Sequence, residues 1–127
     1  MNKRMLIVTH GDLGKTIIEV SGKIIGEIKD ECLTSLSNEG LSTLELADKI
    51  RAVIEKHPDS YFIIATDFPG GSCFIASKKI ASSSMQISTV SGLNISMVLS
   101  FLTKKDLYSE YQLTEIIKTD GNRAIVS

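Results

Sequence analysis

Short apolar runs alternate with amphipathic helical patterns along almost the whole chain, and this alternation restricts the fold more than any other feature. Met5–Val8 is apolar throughout, which is typical of a strand covered on both faces. A helical pattern of apolar residues follows from Leu13 to Ile25. Strand, helix and strand at this spacing require crossover connections. The sequence therefore predicts an α/β fold, an open and mainly parallel sheet with helices on both faces.

The rest of the chain supplies further strands and helices. Strands are predicted near Glu31–Leu36 and over Tyr61–Thr66 and Met85–Val90. Helices are predicted from a capping box at Ser42–Glu45 to His57–Pro58, from Gly70 to about Ser82, over Asn94–Leu102 and over Gln112–Lys118. At the end, Gly121 is predicted as a helix C-cap and Ala124–Val126 as an antiparallel edge strand.

Length and composition indicate a single globular domain over residues 1–127. Of the residues, 43% are hydrophobic and 23% charged, and the formal net charge is −1. Near-neutral charge gives no support for binding to nucleic acid or to an anionic membrane. Cys32 and Cys73 are too few for a disulfide framework, which predicts a reducing, cytoplasmic location. The apolar runs are too short for direct insertion into a membrane.

Polar side chains follow three of the predicted strands at their carboxyl ends, where open parallel sheets place their sites. They are Thr9 and His10 after the first strand, Thr66 and Asp67 after the third, and Ser91–Asn94 after the fourth. The turn Gly70–Ser72 opens a helix, and helix N-termini favour anions. The sequence therefore predicts an anion site that contains a histidine.

A histidine in an anion site is typical of phosphoryl transfer through a phosphohistidine. We expect His10 to be the nucleophile and Asp67 to be the carboxylate that selects its tautomer. Amides and hydroxyls are expected to hold the phosphoryl oxygens, namely those of Gly70, Gly71, Ser72, Thr9 and Thr66. No metal and no cofactor are implied.

Each of these residues also has a structural interpretation. His10 alone could be a hydrogen-bonded or exposed residue, Asp67 a helix cap, and Gly70–Gly71 a tight turn. Cys73 lies in the first turn of a helix, where a lowered thiol pKa is one hypothesis and a small apolar filler the favoured one.

Other kinds of site fit the sequence less well. Gly14–Thr16 follows a strand and opens a helix, as a nucleotide-binding loop does, but Thr9 stands where such a loop needs glycine. An exposed first helical turn is the favoured interpretation of Gly14–Thr16. A Ser–His–Asp hydrolase built on Ser72 lacks the nucleophile-elbow signature, because Phe74 stands where the second glycine is required.

Three blocks of the sequence resemble the IIA domain of mannose-family (mannose, fructose and sorbose) transporters of the bacterial phosphoenolpyruvate-dependent sugar phosphotransferase system. They are Leu6–Gly11 (LIVTHG), Ile64–Phe74 (IATDFPGGSCF) and Val90–Met97 (VSGLNISM). The similarity covers essentially the whole chain in order and length. It departs from the family's usual pattern at Cys73 and Ser96, where proline is usual, and near Ile75, where a small polar residue is usual.

The resemblance implies a cytoplasmic phosphocarrier with an open α/β sheet. His10 matches the phosphorylated histidine, which accepts phosphate from HPr and passes it to a IIB domain. Asp67 matches the neighbouring aspartate, and Ser72 falls in the Gly-Gly-Ser segment. The resemblance further implies a homodimer in which a C-terminal strand, here Ala124–Val126, is exchanged. A regulatory IIA-like binding domain remains the alternative.

Overall fold

In residues 1–28 and 31–127, which a computed structural model describes, four strands and five helices alternate until two helices end the chain. The elements are β1 (Asn2–Thr9), α1 (Leu13–Ile25), β2 (Leu33–Ser37), α2 (Thr43–Glu55), β3 (Ser60–Thr66), α3 (Gly71–Ala81), β4 (Ile87–Ser91), α4 (Ile95–Lys104) and α5 (Glu110–Arg123). None of these helices is long and apolar enough to cross a membrane.

The strands form one sheet in the order β2-β1-β3-β4, and all neighbours are parallel. The central pair, β1 and β3, is in register with Val8 opposite Thr66. The predicted α/β fold with an open parallel sheet is thus confirmed. Because every strand runs the same way, their carboxyl ends meet at one edge, as the predicted site requires.

Both faces of the sheet are covered, because consecutive residues of the central strands point to opposite sides. Met5 and Ile7 are fully buried in a cluster that includes residues of α4 and α5, and α1 packs against it. Leu6 and Val8 are fully buried in a second cluster with α2 and α3. This double burial explains why β1 is a continuous apolar run rather than an alternating one.

Two helices begin at capping boxes. Ser42 accepts a hydrogen bond from the amide of Glu45, whose carboxylate accepts one from the Ser42 amide, as the sequence predicts. Ser109 and Gln112 make the same reciprocal pair at the start of α5.

The C-terminal end differs from the prediction. Helix α5 continues through Gly121 to Arg123, so the predicted C-cap at Gly121 is wrong. Gly121 is buried where α5 approaches α4 so closely that a β-carbon would displace the Met97 side chain. Residues 124–126 form no strand in this chain, and β4 stays at the sheet edge. Exchange of these residues between two subunits remains a prediction.

Gly14 allows helix α1 to lie directly on the sheet. A β-carbon there would be 2.8 Å from Cγ2 of Ile7 and 3.2 Å from Cβ of Ser35. Its amide donates a hydrogen bond of 2.9 Å to the Thr9 hydroxyl. The prediction of an exposed first turn is therefore wrong for Gly14, which is buried, although Lys15 and Thr16 are exposed.

This packing predicts opposite effects for two glycine-to-alanine substitutions in the same helix. Gly14→Ala is expected to lower the free energy of unfolding by about 1–3 kcal/mol, because the methyl group has no space against Ile7. Gly22→Ala meets only an ordinary contact at 3.9 Å and is expected to raise it by about 0.5–1 kcal/mol. Urea unfolding followed by circular dichroism measures both, and equal effects would contradict the packing.

Candidate functional site

The predicted site lies at the carboxyl ends of β1 and β3, the two central strands. The chain leaves β1 through α1, which packs on one face of the sheet, and it leaves β3 through α3, which packs on the other. Chain connections that diverge in this way open a crevice between neighbouring strands. His10 and Asp67 follow the paired residues of these two strands and meet in the crevice.

The Asp67 carboxylate holds His10 at two points. Oδ2 lies 2.8 Å from Nδ1 of the imidazole and accepts a 3.0 Å hydrogen bond from the His10 amide. Oδ1 accepts a 3.1 Å bond from the amide of Phe68. Burial raises the pKa of Asp67, but the hydrogen bonds from His10 outweigh it and leave that pKa below its ordinary value. Asp67 is therefore ionised at neutral pH and acts as the acceptor for Nδ1.

The other ring nitrogen, Nε2, faces the start of α3. It lies 3.4 Å from where a β-carbon on Gly71 would stand, and Gly71 has a φ of +73° that favours glycine. The imidazole stacks on Phe68 with ring centroids 5.2 Å apart. The His10 side chain is 41% exposed, and Nε2 is the ring nitrogen that does not contact Asp67.

Helix α3 begins beside this nitrogen without a side-chain cap. Its N-cap is Gly70, which has extended backbone and whose amide donates a 2.9 Å hydrogen bond to the carbonyl of Phe68. The first amides of a helix lack acceptors within the helix and carry its positive dipole end. Gly71 and Ser72 are the first two residues of α3, so their amides belong to the end of the helix that faces Nε2 of His10.

The two predicted threonines have other partners. Thr9 is fully buried, and its hydroxyl accepts the Gly14 amide. Thr66 is 1% exposed, and its hydroxyl donates a 2.9 Å hydrogen bond to Ser91. Both hydroxyls therefore support the loops that carry His10 and Asp67.

Asn38 belongs to the site, although the sequence analysis did not select it. Its side-chain carbonyl accepts from the Gly11 amide and its amide donates to the Ser72 hydroxyl, each at 3.4 Å. Its main-chain amide donates to the carbonyl of Thr9 at 3.1 Å. The available signal was its position just after β2, the other neighbour of β1, but the mixed composition of β2 hid where that strand ends.

Cys73 packs directly against the imidazole. Its sulfur lies 3.8 Å from Nδ1 of His10, and the residue is fully buried. Burial, together with the negative charge of Asp67, raises the thiol pKa to about 11. The hypothesis of a lowered thiol pKa is therefore wrong, and Cys73 is the buried residue that the favoured interpretation describes.

The loop after β4 makes hydrogen bonds that hold the end of β3, just before Asp67. Asn94 caps α4 by accepting the Met97 amide and also donates to the Gly121 carbonyl. The amide of Leu93 donates to the Thr66 carbonyl at 3.1 Å. This predicted part of the rim thus fixes the end of β3.

The rival sites do not match the geometry. A nucleotide-binding loop needs free amides at its helix start, but the Gly14 amide is bonded to Thr9 and Gly14 is buried. In a hydrolase triad the Ser72 hydroxyl would donate to His10, but no hydrogen bond joins these two residues in the described part of the chain, and the hydroxyl accepts from the Asn38 side chain.

The sequence of the chain matches a known protein family. A family model described as the fructose IIA component of the PTS system, EIIA-man, matches residues 4–118. The sorbose-specific EIIA component of the PTS system of Klebsiella pneumoniae is 21% identical over 121 residues, which span 95% of this chain and 88% of that protein.

Solved structures show the same fold. The phosphotransferase system component EIIA of Streptococcus agalactiae has a TM-score of 0.85 at 22% identity, over 98% of this chain and 96% of that one. The mannose/sorbose-specific IIA subunit of Enterococcus faecalis has a TM-score of 0.87 at 18% identity, over 100% and 95%. The resemblance drawn from the three sequence blocks is thus confirmed: the chain belongs to the mannose family of IIA components of the sugar phosphotransferase system.

Proposed function

We propose that this chain is a phosphocarrier in which Nε2 of His10 accepts a phosphoryl group from phospho-HPr and passes it to a IIB domain. The observation that carries the proposal is the 2.8 Å contact of Nδ1 with Asp67, which leaves Nε2 beside the start of α3. A neutral imidazole has one unprotonated nitrogen, and the carboxylate determines which one it is.

The charges of the site favour the phosphorylated ring. A bond from Nε2 to phosphorus forms as the bond between phosphorus and the donor breaks. With Nδ1 still protonated, the modified ring is positively charged, and the ionised carboxylate of Asp67 stabilises it at hydrogen-bond distance. The protein's main contribution is then position and charge.

The phosphoryl oxygens are assigned to the start of α3. The amides of Gly71 and Ser72 and the Ser72 hydroxyl donate to them, because these groups lie at the uncapped end of the helix. Gly70 shapes the turn, and Asn38 holds the Ser72 hydroxyl toward the site. Thr9 and Thr66 keep the two strand ends in place through their buried hydroxyls.

The wider setting of the proposal follows the family. HPr is the donor and a IIB domain the acceptor, both in the cytoplasm, and the working unit is a homodimer that exchanges residues 124–126. In this scheme the sugar never contacts the chain, so no sugar is assigned.

Phosphate incorporation tests the nucleophile. After incubation with phosphoenolpyruvate, enzyme I and HPr, intact-mass spectrometry is expected to show one acid-labile phosphoryl group on the wild type and on His57→Ala, and none on His10→Ala. His57 is the matched control because it is the chain's other histidine and precedes the opposite end of β3. An unmodified wild type in the presence of charged HPr would contradict the proposal and indicate a regulatory domain.

The tautomer of His10 tests the role of Asp67. Nitrogen-15 NMR of the imidazole is expected to show a proton on Nδ1 and none on Nε2 in the wild type, because the carboxylate accepts only at Nδ1. Asp67→Asn is expected to remove this preference and to slow phosphoryl transfer by about 10²-fold or more. A wild-type ring protonated at Nε2 would overturn the assignment.

Asn38 is expected to affect the rate through the position of Ser72. Asn38→Ala removes both side-chain hydrogen bonds, which predicts transfer about 2- to 10-fold slower, equivalent to about 0.5–1.5 kcal/mol. Glu39→Ala, an exposed neighbour, serves as the control. Single-turnover transfer from purified phospho-HPr measures the rates, and equal rates in the two variants would exclude this role.

A further inference from the structure

Three different metal-binding side chains converge at the site, from three separate parts of the chain. His10 follows β1, Asp67 follows β3, and Cys73 lies in the first turn of α3. A ring nitrogen, a carboxylate oxygen and a thiol sulfur from these residues all lie within 4.8 Å of one another. The phosphocarrier role uses the first two and gives the sulfur no task.

The donor set is selective for one kind of ion. Nitrogen, oxygen and sulfur together favour Zn²⁺ and related transition metals, whereas Mg²⁺ and Ca²⁺ prefer oxygen alone. With Zn–S near 2.3 Å and Zn–N or Zn–O near 2.1 Å, tetrahedral ligand atoms lie about 3.3–3.7 Å apart. The 3.8 Å between the Cys73 sulfur and Nδ1 is close to this value. The 2.8 Å between Nδ1 and Asp67 has to open by about half an ångström to reach it.

We propose that His10, Asp67 and Cys73 form a Zn²⁺-binding site through Nδ1, a carboxylate oxygen and Sγ. Three protein ligands leave the fourth tetrahedral position for water. Two of the three ligands border solvent, because the side chains of His10 and Asp67 are 41% and 10% exposed, whereas Cys73 is buried.

Binding changes the protonation of the other two ligands in a balanced way. The thiol proton is released to solvent, because a coordinating sulfur is a thiolate. The imidazole proton moves from Nδ1 to Nε2, so the ring stays neutral and one proton leaves for each ion bound. Loss of the thiol proton opposes binding, since burial favours the neutral thiol.

This coordination and phosphorylation exclude each other, a consequence that rests on the proposed function. With the ion on Nδ1, Nε2 carries a proton and has no lone pair for phosphorus. With the phosphoryl group on Nε2, Nδ1 keeps its proton for Asp67 and is not a ligand. Zn²⁺ is thus expected to hold the chain in its unphosphorylated form.

Co²⁺ is the probe that tests the site without any phosphoryl transfer. Added to the reduced, unphosphorylated chain, it is expected to give a thiolate-to-cobalt charge-transfer band in the near ultraviolet that Zn²⁺ removes. Cys73→Ser is expected to lose the band, and the matched variant Cys32→Ser, which alters the other buried cysteine, to keep it. Absence of the band in the wild type, or its persistence in Cys73→Ser, would overturn the proposal.

A second variant covers the chance that Cys73→Ser does not fold. His10→Ala changes a part-exposed ring and leaves the thiol in place. Calorimetric titration is expected to show Zn²⁺ affinity at least about 10-fold lower in this variant than in the wild type. Equal affinity would exclude His10 as a ligand and refute the site.

The rate of phosphorylation separates the two proposals. With purified phospho-HPr as donor, Zn²⁺ is expected to slow modification of the wild type but not of Cys73→Ser. A cobalt band in a chain that is never phosphorylated supports the metal site and refutes the phosphocarrier role. Phosphorylation of a chain that shows no cobalt band supports the phosphocarrier role and refutes the metal site.

Discussion

The contact between the Asp67 carboxylate and Nδ1 of His10 is the interaction on which the proposed chemistry of this molecule depends. It joins the ends of the two central strands, and an ionised carboxylate there favours a proton on Nδ1. The same carboxylate accepts the His10 main-chain amide, so the orientation of the ring and the path of its loop are set together. Much of the surrounding structure serves to hold this pair: Thr9 and Asn38 on one side, Thr66 and Leu93 on the other.

Much of the fold could be predicted from the sequence because buried positions in helices and strands carry apolar residues at a regular spacing. The apolar run at Met5–Val8 is buried on both faces, and the capping box at Ser42 is read from local spacing alone. His10 and Asp67 were predictable because parallel strands bring their carboxyl ends together. Their geometry, by contrast, depends on strand order, which local patterns do not specify.

The predictions that failed concern contacts between distant elements. Glycine is common at the ends of helices, which is why Gly121 is predicted as a C-cap. In the structure it lets α5 approach Met97, a residue 24 positions earlier in the chain. Gly14 was similarly predicted to lie in an exposed first turn, because the sequence does not show that it packs against Ile7 and Ser35. Asn38 was missed for the same reason, because its importance comes from the neighbouring strand and not from its own segment. A small or polar residue is compatible with several structural roles, and its contacts with distant elements determine which role it has.

The stacking of Phe68 on His10 has a consequence for how this site can be observed. The aromatic ring is half exposed and lies 5.2 Å from the imidazole centroid, nearly parallel to it. Ring currents in Phe68 therefore shift the resonances of the carbon-bound protons of His10. Any partner or ion that tilts either ring changes that shift, so the chain carries its own magnetic reporter at His10. No label has to be attached near the imidazole.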